Sequence, residues 1–156
     1  MKILYICTHN RCRSILSEAI TNYLAKGRLQ AYSAGSQPAG EVHPLSLKYL
    51  AEKGLPIAGL RSQSWNDFAR DLPDIVITVC DSAAAEACPV WFADTAKIHW
   101  GLPDPSKLAG SDTEIRDAFY EVMATIEQRV QKLLDVDLKG LSKTECESVL
   151  KSLSEA

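Results

Sequence analysis

The run Lys2-Ile3-Leu4-Tyr5-Ile6 reads as a buried β-strand and passes directly into Cys7-Thr8-His9-Asn10-Arg11-Cys12-Arg13-Ser14, after which a helical pattern begins. A strand that becomes a helix through so short a loop commits the chain to a βαβ start and so to a parallel sheet. It also fixes what the loop presents. Backbone N–H groups at a helix N-terminus converge where the positive end of the dipole gathers, so an anion is held there without a lysine. Cys7 stands at the bottom of that cradle, and the same field should lower its thiol from about 8.5 toward neutrality and leave it largely thiolate. Arg13, six residues on, offers a planar fork to two oxygens of a tetrahedral anion such as phosphate or arsenate. Ser14 can hydrogen-bond the sulfur. Thr8, His9, Asn10, Arg11, Cys12 and Arg13 thus form the expected oxyanion-binding loop, the bland alternative being an inert, buried Cys7.

Strand and helix patterns alternate beyond this point. Leu16, Ala19, Ile20, Tyr23 and Leu24 mark one face of a helix stopped by Gly27, and a strand follows over Leu29 to Ser33. His43-Pro44 opens a helix with Leu47, Leu50 and Ala51 inward and Gly54 as its stop, and Ser64 caps a short helix through Trp65 and Phe68. Asp74 to Cys80 is the clearest buried strand, and Lys97 to Trp100 is another. A long helix carries Ile115, Phe119, Val122, Ile126, Val130 and Leu133 on one stripe. The tail has a capping box, Ser142 to Glu145, and an apolar face of Cys146, Val149, Leu150 and Leu153. The expected architecture is α/β: a four-stranded parallel sheet flanked by helices, formed by residues 1–135, with 136–156 as a C-terminal helical extension packed on it. Ligands of such sheets bind at the carboxyl ends of the strands, where Cys7, Cys80 and Asp104 all fall.

Composition narrows the partners. A chain of 156 residues, 46% hydrophobic, can bury a full core without disulfides or metal. A net charge of −3 with no Lys/Arg run argues against nucleic acid, and no apolar stretch approaches 18 residues, so no membrane span is expected. Five cysteines without a secretion pattern read as reduced thiols or redox chemistry in the cytoplasm. A monomer is expected.

Asp104, held between Pro103 and Pro105, is a candidate proton donor to a departing oxygen, the alternative being a turn aspartate that caps Ser106 onward. Cys80 and Cys88 lie eight residues apart, which is neither a zinc-ribbon spacing nor Cys-x-x-Cys, so no metal site is expected. A helix between them would separate the sulfurs by roughly 12 Å, too far for a disulfide unless it bends or melts, which suggests a redox switch against two merely buried cysteines. Cys12 reads as packing, Cys146 as core. His43, His99 and the three tryptophans, Trp65, Trp91 and Trp100, read as structural.

Together, Cys7 to Ser14, Tyr32-Ser33-Ala34-Gly35, Val79-Cys80 with Cys88-Pro89, and His99-Trp100-Gly101 leading to Asp104-Pro105 resemble the thioredoxin-linked arsenate reductases, built on the low-molecular-weight tyrosine phosphatase fold. The resemblance implies that arsenate binds in the loop, Cys7 attacks arsenic and Asp104 protonates the departing oxygen. It further implies a Cys7-Cys80 disulfide, then a Cys80-Cys88 disulfide, with Asn10 shaping the loop and Arg13 and Ser14 serving the oxyanion and the sulfur. No bound cofactor is implied; an external thiol reductant is, either thioredoxin or glutaredoxin with glutathione. Relatives that bind potassium use a carboxylate near the position aligned with Gln63, beside residues matching Asn10, Glu18 and Ser33, so the neutral Gln63 predicts no such site here. The rival activity is that of a low-molecular-weight tyrosine phosphatase, which usually places an aromatic residue where Ser106 stands. A weak phosphatase side activity is expected in either case.

Overall fold

Ile3, Leu4, Tyr5 and Ile6 are all buried, as a central parallel strand covered on both faces requires. The computed structural model describes residues 1–80, 95–138 and 140–155. Strand β1 (Lys2–Ile6) lies between β2 (Gln30–Ala34) and β3 (Ile75–Thr78), and β4 (Ala96–His99) adds to β3, giving the parallel order β2-β1-β3-β4. The register pairs Ile6 with Ala34 on one side and Thr78 on the other, so three strands end level beneath one rim. The chain steps outward from β1 to β2 and then returns across β1 to β3. That reversal opens a crevice at the carboxyl ends of β1 and β3, the place where open α/β sheets receive ligands.

Helix α1 (Arg13–Ala25) buries Ile15, Leu16, Ala19 and Ile20, whereas Tyr23, expected inward, is half exposed. Helix α2 (Pro44–Glu52) starts with proline at its first turn and the His43 ring accepting from the Leu45 N–H at 3.1 Å. That start turns Ser46, Tyr49 and Leu50 toward the core and leaves Ala51, also expected inward, in solvent. Helix α3 (Asp112–Leu134) is capped by Ser111, whose hydroxyl accepts from the Glu114 N–H at 3.2 Å, and it buries Phe119, Val122, Met123, Ile126, Val130 and Leu133. Helix α4 (Lys143–Glu155) begins with a reciprocal capping box: the Ser142 N–H donates to Glu145 and the Glu145 N–H to Ser142, both at 3.2 Å.

Helix α4 lies along the outer edge of β4. Glu147 accepts from the Lys97 N–H at 3.1 Å, and the Trp100 indole donates to the Leu150 carbonyl at 2.8 Å, with Cys146 and Leu150 buried. No helix among the described residues is long and apolar enough to cross a membrane. The expected helix after Cys80, together with Cys88 and Trp91, lies outside the described residues.

Candidate active site

Because β1 and β3 are neighbours in register, the residues that follow them leave the sheet side by side. Cys7 and Cys80 therefore meet, both buried, in the wall of one cavity. The Thr8 N–H donates to Cys80 Sγ at 3.4 Å, and the Thr8 hydroxyl lies 3.7 Å from the same sulfur. Thr8, expected among the anion donors, thus turns its N–H to the second thiol.

The loop around Cys7 is shaped from within. Asn10 is fully buried with φ of 49°, a left-handed conformation that asparagine tolerates better than most residues. Its Nδ2 donates to Ser14 Oγ at 2.8 Å and its Oδ1 accepts from the Gln63 N–H at 2.8 Å, which ties the loop to the first turn of α1 and to the strand-like approach of Ser64. Gly35 presses on the loop from β2: a Cβ there would lie 2.5 Å from the Thr8 carbonyl oxygen and 2.8 Å from that of Cys7.

Arg13 reaches from the start of α1 across the rim. Its Nη1 donates to the Leu102 carbonyl at 3.1 Å and its Nη2 lies 3.5 Å from Asp104 Oδ2. Its Nε is buried without a partner among the described residues, which leaves that N–H for an anion in the cavity. The cavity, about 160 Å³, has Cys7, Cys80 and Asp104 in its wall and a basic rim of Arg11, Arg13 and Lys107. Asp104 is indeed a cap: its side chain accepts from the Ser106 N–H at 3.0 Å and opens a single 3-10 turn, Pro105–Lys107. Capping does not remove it from the cavity lining.

The charge on Cys7 differs from the expectation of a free thiolate. Its bond with Cys80, burial and the charge Cys80 would carry all push the Cys7 thiol up, while Arg13 and the His9 N–H pull it down. Two sulfurs in contact cannot both ionise cheaply, so the pair retains at least one proton. The helix-terminal field acts on that pair rather than on one isolated sulfur. Cys12, deeper in the loop, is pushed up to about 11 by burial, against hydrogen bonds from Ser46 and Ser106.

The model of the low molecular weight phosphotyrosine protein phosphatases matches residues 2–147. The chain belongs to that family. Within it, the chain is 34% identical to arsenate reductase 1 of Staphylococcus epidermidis, over 82% of this chain and 96% of that one. It is 28% identical to a glutaredoxin arsenate reductase of Synechocystis, over 85% and 95%. Among solved structures, a thioredoxin-dependent arsenate reductase of Corynebacterium glutamicum superposes with a TM-score of 0.66 at 28% identity, covering 86% of this chain and 61% of that one.

In this phosphatase-family chain three residues of the cavity lining were not foreseen there: Lys107, His43 and Ser106, the last standing with Ser46 against Cys12. Only Ser106 had a signal, its place two residues after an aspartate, where Asx turns close. His9 bonds the Gln37 carbonyl at 3.0 Å and Arg11 stands on the rim. Gln63 donates its side-chain amide to the Ser33 carbonyl at 3.0 Å, so a neutral donor meets that oxygen.

Proposed function

We propose that the chain reduces arsenate to arsenite with its own thiols, using a thiol reductant for turnover. The observation that carries this reading is the Cys80 thiol standing beside the Cys7 thiol in one cavity with a basic rim. A phosphatase needs one nucleophilic sulfur there; a reductase needs two that can join.

Arsenate is held by the loop and Arg13. The Cys7 thiolate attacks arsenic, and Asp104 protonates the departing oxygen, which leaves as water. Cys80 then attacks Cys7 Sγ; the S–As bond breaks with its electron pair going to arsenic, arsenite departs, and a Cys7-Cys80 disulfide remains. Cys88 attacks Cys80 Sγ, frees the Cys7 thiolate and leaves a Cys80-Cys88 disulfide for the external reductant. Ser14, fixed by Asn10, steadies the Cys7 sulfur. The relatives support a thiol reductant of either kind, one being thioredoxin-dependent and another a glutaredoxin arsenate reductase. A reducing cytoplasm is where such a cycle can run.

The test is arsenate-dependent NADPH consumption with thioredoxin and its reductase, and in parallel with glutaredoxin, glutathione and glutathione reductase. Wild type, Cys80→Ser and Cys88→Ser are compared. Turnover by wild type alone, with at most about one arsenite released per Cys88→Ser molecule, is expected. Three chains inert toward arsenate yet equally able to hydrolyse an aryl phosphate would make the protein a phosphatase.

A further inference from the structure

Asp104 is not held symmetrically. Oδ1 accepts twice from one residue, from the Ser106 N–H at 3.0 Å and from the Ser106 hydroxyl at 2.6 Å. Among the described residues Oδ2 has only the Arg13 Nη2 at 3.5 Å, a long contact that an anion oxygen could replace. A carboxyl oxygen already accepting two hydrogen bonds is a poor place for a proton, because the proton would have to displace a donor. The geometry points to Ser106 as a positioning residue for the acid: by donating twice to Oδ1 it confines the transferable proton to Oδ2, on the Arg13 side of the carboxyl group.

Ser106 also stands, with Ser46, beside the Cys12 thiol, which burial keeps protonated, and Ser46 Oγ donates to the Arg11 carbonyl at 3.2 Å. Cys12, read from sequence as packing, packs between the loop and the turn that carries Asp104. When Asp104 acts, the Oδ2–H bond breaks as an O–H bond forms on the departing oxygen. The carboxylate left behind already has two donors on Oδ1, so its charge is met without rearrangement.

This assignment rests on Asp104 being the acid, and the experiment separates the two claims. Single-turnover arsenite release is followed as a function of arsenate concentration for wild type, Asp104→Asn, Ser106→Ala, Ser106→Thr and the double variant Asp104→Asn/Ser106→Ala. The maximal rate of Ser106→Ala should fall about tenfold with half-saturating arsenate nearly unchanged, since the lost bond is to a charged group formed in the transition state. Ser106→Thr, which keeps the hydroxyl, should recover most of the rate. In the Asp104→Asn background the Ser106→Ala change should add nothing. A slow Asp104→Asn beside an unimpaired Ser106→Ala would overturn the role of Ser106 alone. An equal loss from Ser106→Ala with and without Asp104 would also overturn it, as an effect on the fold. Wild-type speed in Asp104→Asn would remove the acid assignment and this one with it, as would an absence of arsenite release from wild type.

Discussion

Glu18 sits one turn into α1, where its carboxylate accepts from the Ser33 hydroxyl. Burial raises it from 4.5 to about 7, against the Ser33 bond and the nearby Arg61 charge. The unfolded chain releases this proton near 4.5, whereas the folded chain keeps it until about 7, so between those values the native state binds more protons. Stability from this group is fully present below the unfolded value and is lost as pH rises through the folded one. The swing is about 3 kcal/mol at most, and nearer 2 after allowing for its partial exposure. Glu18→Gln keeps an acceptor for Ser33 without the titration. Its urea midpoint should stay level from pH 5 to pH 8 while that of wild type declines, so that the variant is the more stable above pH 7. Parallel curves for the two proteins would show that burial does not perturb Glu18.

At the scale of elements, packing explains both what was readable in the sequence and what was not. The β3 run and the α3 stripe stood out because each buries a continuous set of apolar side chains, and periodicity records that directly. Tyr23 and Ala51 misled because a helical apolar residue near the edge of its stripe can face solvent when the helix start sets a slightly different roll. The order of Cys7, Arg13, Cys80 and Asp104 after strands and at a helix start was legible, but their mutual contacts were not. Whether Cys80 touches Cys7 depends on β1 and β3 being adjacent, and the two hydrogen bonds from Ser106 to Asp104 depend on a 3-10 turn that three residues cannot announce. Gly35 shows the same dependence: it follows β2, and only the structure reveals that a Cβ there would meet the Thr8 and Cys7 carbonyl oxygens at 2.5 and 2.8 Å. Those are backbone atoms, which cannot swing aside. Gly35→Ala should therefore push the loop off β2, lowering stability by about 1–3 kcal/mol in urea unfolding and weakening arsenate binding. Unchanged affinity for arsenate in this variant would mean that the loop keeps its shape without the strand behind it.

On the scale of the whole molecule, the sheet meets solvent problems at its β4 edge, where unpaired strand amides invite pairing with other chains. Helix α4 answers them with side chains rather than with another strand: Glu147 takes the Lys97 N–H, and Leu150 offers both an apolar side chain and a carbonyl to Trp100. The contact also bears on the chemistry, since Trp100 is followed by the Gly101-to-Asp104 segment. That segment is tied down by the Leu102 N–H donating to the Val79 carbonyl at 3.0 Å, by Arg129 donating to the Gly101 carbonyl at 3.3 Å and by Arg13 donating to the Leu102 carbonyl at 3.1 Å. If residues 1–135 are a self-sufficient domain and 136–156 an extension packed on it, a chain ending at residue 140 should still fold. It should nonetheless lose roughly 4 kcal/mol in urea unfolding, from the exposed Leu150 and Cys146 contacts and the Trp100 bond. With β4 uncovered it should also self-associate in gel filtration as its concentration rises. Arsenate turnover should fall while the Cys7-Cys80 disulfide still forms, because the sulfurs are placed by β1 and β3 and only the segment that carries Asp104, the proposed acid, loses its support. A truncated chain as stable as the full one would make α4 a passenger on the edge, whereas a chain that cannot fold at all would make residues 141–156 part of the core itself.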